Sequence, residues 1–175
     1  MLQVVYDTNT GQVLQWQDTD KYNYAPIPSN LSTLEVTQDQ WNNQQGEWFV
    51  ANGQLTQQMP LSIAQSRQLS IIKTAFNQAM ISPYTSTVLS KPVDYNQQSL
   101  LNVQGLITYL QANPTITSIQ FRCAYNNFIQ LTLTQLQSLL LEMIQYGLSL
   151  HQKKWTLESE INNATTISAV QSITW

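Results

Sequence analysis

Two X-Pro pairs, Ser82-Pro83 and Asn113-Pro114, cut residues 61–175 of this sequence into three stretches of helical periodicity. A residue before proline is pushed out of the helical region, so no regular helix continues through either pair. Before the first pair, Leu69, Ile72, Phe76 and Ala79 share one helical face and predict a helix over 61–81. Between the two pairs, Leu100, Val103, Ile107 and Leu110 predict a second helix over 97–112, with Asn96 placed to cap it. After the second, Leu136, Leu140, Met143, Gly147 and Leu150 trace the stripe of the longest helix, over 134–162, and a short helix is expected at 168–172. The segments between are β-prone. Tyr84 to Tyr95 contains Pro92, which suits an edge strand. Residues 116–123 and 128–133 read as two strands around the turn 124–127, with Ile119, Phe121 and Cys123 alternating on one face and Ile129, Leu131 and Leu133 on the next.

The first 57 residues have a different grammar. Leu2 to Tyr6 and Gln12 to Trp16 are β-prone runs flanking Asp7-Thr8-Asn9-Thr10-Gly11, which has hairpin-turn chemistry. The alternate prolines of Tyr22-Asn23-Tyr24-Ala25-Pro26-Ile27-Pro28 keep the next stretch extended, as a loop or edge segment. Thr37-Gln38-Asp39-Gln40 reads as a capping box that opens a short helix carrying Trp41. Trp48-Phe49-Val50, Asn52-Gly53 and Gln54-Leu55-Thr56 form the strongest hairpin signal in the chain, because Asn-Gly tolerates positive φ at both turn positions. The expected fold class is therefore α+β. A small β-rich N-terminal module, 1–57, precedes an α+β domain, 58–175, with three main helices and a short antiparallel sheet.

Charge is scarce. Charged residues make 10% of the chain, against about 25% in ordinary soluble domains, and hydrophobic residues make 42%. Amides replace the ions: 25 Gln and 14 Asn, 39 of 175 residues. A surface with so little long-range repulsion favours docking against other protein. Net charge is −3 with seven Lys and Arg, which leaves no basic patch for nucleic acid. No apolar run reaches the roughly 18 residues of a membrane span, so no membrane insertion is expected. Met1 to Tyr6 lacks the basic start and long apolar core of a signal peptide. The single cysteine, Cys123, excludes an intrachain disulfide and a cysteine-rich zinc site. Both features fit folding in a reducing cytoplasm.

The chemistry-bearing residues do not assemble into a recognisable catalytic pattern. His151, the one histidine, sits on the longest helix beside Lys153 and Lys154, with no Gly-x-Ser-x-Gly elbow or cysteine signature to supply a nucleophile. Asp18 with Asp20, and Glu158 with Glu160, are close in sequence and read as solvated charges rather than carboxylates set across a cleft. The ligand spacings of zinc and calcium sites are missing, as is a glycine-rich phosphate loop. Cys123 reads as a small buried hydrophobe. The expectation is no catalytic residue, no metal and no cofactor. Trp16, Tyr22 and Tyr24 form the one aromatic group suited to protein or sugar binding; the alternative is that they cover the small N-terminal core.

The run Phe121-Arg122-Cys123-Ala124-Tyr125-Asn126-Asn127-Phe128-Ile129-Gln130-Leu131-Thr132 resembles a recurrent segment of bacteriophage tail proteins: Trp-Arg-x-x-Asp-Asn, a strand, then Leu-Thr opening a long helix. Phe121 stands where that family favours Trp, and Tyr125 where it favours Asp. Upstream, Lys91-Pro92-Val93-Asp94-Tyr95 with Ser99, Asn102 and Gly105 is similar to the family's extended segment and following helix. Downstream, Leu157 to Thr166 and the final Trp175 resemble its C-terminal ending. The resemblance covers about residues 61–175 and is to a domain of unknown function common in tail-fibre proteins and tail-fibre assembly factors. Thr37 to Gly53 resembles the small module that often precedes it.

The resemblance implies a non-enzymatic structural protein of a phage tail, in the fibre or baseplate region, that holds neighbouring tail subunits and resides in the virion after synthesis in the host cytoplasm. Its alternatives are a tail-fibre assembly chaperone and a carbohydrate-binding receptor module. The expected partners are other tail proteins, and a homo-oligomer also fits. The N-terminal module and the helical face of 61–81 are the two expected docking surfaces. No sustained heptad repeat points to a coiled coil.

Overall fold

The structure, a computed structural model describing residues 1–175, is α+β. Strands β1 (Leu2–Asp7) and β2 (Val13–Asp18) pair antiparallel around the Asp7–Gly11 turn, as the sequence predicts. The Asp7 carboxylate accepts from the Asn9 and Thr10 amides, each at 2.9 Å, and its pKa lies below the usual carboxylate range, the Thr10 amide being the main cause. Gly11 has φ 70°, and a Cβ there would collide with the Val50 carbonyl. Strand β3 (Leu31–Glu35) pairs antiparallel with the other edge of β1, giving the order β2-β1-β3. Sequence periodicity misses β3, because its two leucines, Leu31 and Leu34, flank Ser32-Thr33 and do not alternate.

In the middle of this sheet Gln3 and Gln17 stand opposite each other. Both are buried, and the Gln3 Nε2 donates to Gln17 Oε1 at 2.9 Å. Helix α1 (Gln38–Asn42) opens on the predicted capping box, with Thr37 and Gln40 satisfying each other's backbone donors. Strands β4 (Phe49–Ala51) and β5 (Gln54–Thr56) form the Asn-Gly hairpin, with Asn52 and Gly53 both at positive φ.

Helix α2 (Leu61–Ala79) ends before Pro83. Strands β6 (Tyr84–Ser86) and β7 (Lys91–Val93) form a second hairpin. Helix α3 (Gln97–Ala112) starts on Asn96, whose Oδ1 accepts from the Ser99 amide at 2.8 Å, and stops at Asn113. Strands β8 (Ile119–Arg122) and β9 (Phe128–Leu131) pair antiparallel across a 3-10 turn at 124–126. Helix α4 (Leu133–Asn163) and helix α5 (Ile167–Ser172) complete the chain. Leu133, expected on the face of the preceding strand, instead begins α4. The reason is a second capping box: Thr132 N donates to Gln135 Oε1 at 3.0 Å, and Thr132 Oγ1 accepts from Gln135 N at 3.4 Å.

The chain divides into two compact units, one of Met1–Gln68 with Ala164–Ser172, the other of Leu69–Asn163 with Ile173–Trp175. The division falls inside α2, whereas the sequence places the boundary at 57/58, in the connector before that helix. Hydrogen bonds explain why the first turns of α2 go with the N-terminal unit: Gln65 Nε2 donates to the Ala164 carbonyl at 3.2 Å, and Arg67 reaches both oxygens of Glu47 at 3.0 and 3.1 Å. The core of the second unit is built from the predicted stripes. Phe76, Val103, Ile107, Leu110, Leu136, Met143 and Leu150 are buried together with Phe121, Cys123 and Leu131. No helix is long and apolar enough to cross a membrane.

Candidate functional site

In the N-terminal unit the three aromatic residues singled out in the sequence do not form one group. Side chains alternate along β2, so Trp16 and Gln17 face opposite sides of the sheet. Trp16 packs edge-to-face with Trp41 and Trp48, at 6.1 and 5.9 Å between ring centroids. Tyr24 lies on the Gln17 side, where it lines a shallow hollow with Val5, Gln15 and Gln17. Its hydroxyl accepts from the Asp18 amide at 3.1 Å, and its ring meets the exposed Tyr22 at 6.4 Å. The Trp16–Trp41–Trp48 cluster is thus separate from the Tyr pair. The indole Nε1 of Trp48 is enclosed without an acceptor, beside a hollow lined by Asn42, Asn43, Gln45 and Gln57.

The remaining titratable residues are individually accounted for. Asp18 is buried, and burial alone would raise its pKa; the Lys21 ammonium at 3.2 Å and the Asp20 amide more than offset this and hold it low. Asp20 pairs with the N-terminal amine. Glu158 pairs with Lys154 at 3.4 Å. His151 is half-buried between Phe76 and Trp155, at 4.9 and 5.6 Å. Cys123 is fully buried, and burial pushes its thiol pKa up.

A hollow lies in the second unit, between α3, the end of β7 and β8. Its volume is about 460 Å3. Val93, Leu106 and Phe121 give it an apolar floor, while Asp94, Asn102, Gln120 and Arg122 supply polar groups. Local structure sets each of these. The Asn96 cap fixes the start of α3 and also accepts from the Ser99 hydroxyl at 3.1 Å, so Ser99 is turned back onto the cap. Gln98 donates to Asn102 Oδ1 at 2.8 Å, which orients the Asn102 amide. Gly105 leaves the wall of α3 open: a Cβ there would meet nothing within 4 Å. β8 has a paired neighbour on one side only, so its other edge is free. A groove with an apolar floor, neutral amides and one charge of each sign is suited to binding another molecule by contact.

The β7 side of this groove is held by a carboxylate that sequence reading missed. Glu142 on α4 reaches the β6–β7 hairpin, where its Oε1 accepts from the Thr87 amide and hydroxyl, both at 2.6 Å. Its Oε2 accepts from Ser86 Oγ and, at 3.4 Å, from the Tyr84 hydroxyl. Burial would raise its pKa, but the Ser86 and Thr87 donors outweigh burial and hold the carboxyl below its ordinary range. Tyr84 is pushed in the other direction, by burial first and then by the Glu142 charge. The Tyr84 ring stacks on Tyr146 at 4.4 Å, and Tyr95 closes edge-on against both. The signal that could have found this site is a lone Glu on an otherwise uncharged stretch of a long helix.

Residues 63–174 match a family model described as Domain of unknown function (DUF4376). The chain belongs to this family. No curated protein and no solved structure matches it. The groove lies wholly within the DUF4376 segment, and so does the Glu142 network. Trp16, Tyr22 and Tyr24 lie outside it.

Proposed function

We propose that this DUF4376 protein is a structural component of a bacteriophage tail, placed in the fibre or baseplate region and holding neighbouring tail subunits by surface contact rather than by catalysis. The observation that carries the reading is a convergence. Val93, Asp94, Ser99, Asn102 and Gly105 come from one segment that resembles phage tail proteins, and Phe121 and Arg122 from another. The fold brings all of them to one groove. The amide-rich, charge-poor composition supports the same reading, because interface centres are depleted of charge and neutral amides can be covered without the desolvation cost of ions.

The test is quantitative mass spectrometry of purified particles together with binding in infected lysates. Presence in mature particles at a fixed ratio to tail subunits is the expected result. Absence from particles, with binding to fibre protein in the lysate, would replace this reading with an assembly chaperone. Glycan binding that Tyr24→Ala abolishes would replace it with a receptor module.

A further inference from the structure

On the exposed side of α4 two pairs of like residues are placed symmetrically about a point near the middle of the helix. Outward from the point between Ile144 and Gln145, this side presents Leu141 and Leu148, then Gln137 and Gln152, at equal distances in either direction. All six side chains are exposed: Leu141 at 62%, Ile144 at 52% and Leu148 at 51% of their full area, with Gln137, Gln145 and Gln152 beside them. The spacings of three, four and seven residues put them on one stripe of the helix. Isolated exposed leucines on a surface need no explanation, but three large aliphatic side chains in one stripe are a patch. Between Leu133 and Gln152 the only charged residue is Glu142, and its carboxylate is turned away into the β6–β7 hairpin. The stripe therefore carries no charge to select a charged partner, and none to repel a copy of itself.

We propose that this face pairs with the same face of a second copy of the chain, with the two α4 helices antiparallel about a two-fold axis at Ile144/Gln145. A two-fold contact requires a self-complementary surface, in which residue i meets residue j and j meets i. The symmetric spacing supplies that match. Leu141 meets the partner's Leu148, Ile144 and its neighbour Gln145 meet their own counterparts at the axis, and Gln137 faces the partner's Gln152 as a donor–acceptor amide pair. A parallel arrangement would instead set Gln137 against Gln137 and Leu141 against Leu141, and would make no use of the symmetry. From Thr134 to Trp155 the helix covers about 33 Å at 1.5 Å per residue. A single helix pair of that length is a small contact, near the lower end of specific interfaces, which begin at about 1,200 Å2 of total buried area. The pair is accordingly concentration-dependent rather than obligate. This inference stands apart from the tail assignment and holds for the isolated protein.

The experiment is sedimentation velocity of the full chain across a concentration series. The expected result is a shift from the 20.0 kDa monomer to a species of twice that mass. The double variant Leu141→Gln, Leu148→Gln should stay monomeric at every concentration, with circular dichroism and melting temperature close to the parent. Orientation is read by mixing two variants that each add one exposed cysteine to the buried Cys123, Leu141→Cys and Leu148→Cys, under mild oxidation. The antiparallel pair gives the mixed cross-link in preference to either self-cross-link. A monomer at all concentrations would overturn the proposal. So would a dimer that survives the double variant, or self-cross-linking of Leu141→Cys in preference to the mixed product.

Discussion

The hydroxyl of Tyr95 occupies the space that a side chain at position 147 would need. Gly147 is buried in the middle of α4, and an added Cβ would overlap the Tyr95 oxygen, with the ring carbon that bears it at 3.1 Å. Tyr95 has little room to retreat, because it is buried and its ring is held edge-on against Tyr84 and Tyr146. Gly105 on α3 is the opposite case, with open space where its Cβ would be. Gly147→Ala should therefore lose about 1–3 kcal/mol through overpacking. Gly105→Ala should gain about 0.5–1 kcal/mol, the ordinary benefit of replacing a helical glycine. Urea denaturation of the two variants against the parent checks both signs, and equal behaviour of the two glycines would contradict the Tyr95 contact.

Glu142 makes stability depend on acid in a defined window. Its carboxyl is depressed in the folded chain, so the unfolded chain takes up the proton first as pH falls. The stabilisation is complete above the ordinary carboxylate range near pH ~4.3, and is lost as pH drops through the lower folded value. Asp7, Asp18 and Glu47 are depressed as well, so the parent has several contributors. The comparison with Glu142→Gln isolates this one. The variant should be less stable at pH 7 and should lose less on going from pH 5 to pH 3. Identical pH slopes for the two proteins would show that the Ser86 and Thr87 donors do not favour the charged form.

Trp16 and Tyr24 should act independently. They lie on opposite sides of the β2-β1-β3 sheet and share no ring contact. Trp16→Ala and Tyr24→Ala should each lower stability, the first by loss of the contacts to Trp41 and Trp48, the second by uncovering Val5 and removing the acceptor for the Asp18 amide. The double variant should equal the sum of the singles to within about 0.5 kcal/mol. A coupling of more than about 1 kcal/mol would mean that the three aromatic residues work as one patch after all.

The thiol of Cys123 should be silent in the native protein. It is fully buried in the core of the second unit, just after β8, and burial disfavours the reactive thiolate. A thiol-reactive chromophore is expected to give no native signal and one equivalent in guanidinium chloride. Fast native labelling would show that the β8–β9 side of the second unit opens readily.

Much of this architecture was legible in the sequence because its signals are local. Pro83 and Pro114 end helices by sterics, Thr37 with Gln40 and Asn96 with Ser99 cap them by hydrogen bonding, and Asn52-Gly53 turns the chain by tolerating positive φ. What stayed hidden depends on residues far apart in the chain. Strand β3 exists because β1 offers it an edge, not because its own residues alternate. Glu142 is set by a hairpin more than fifty residues earlier. The groove needs both α3 and β8, and composition says nothing of their proximity. Trp16 parts from Tyr24 for a related reason: closeness in sequence does not decide which face of a sheet a ring takes.

The buried amides of Gln3 and Gln17 choose between pairings of β1 and β2 more than they hold the sheet together. A hydrogen bond between them adds only about 1 kcal/mol net, whereas a buried amide left without a partner costs about 1–3 kcal/mol. Sliding one strand by a single residue would set Gln3 against Trp16 or Asp18 and strand the other amide among apolar groups. The two side chains thus work as a checksum on threading, penalising a hairpin that is out of step by one residue at the first strands the chain makes.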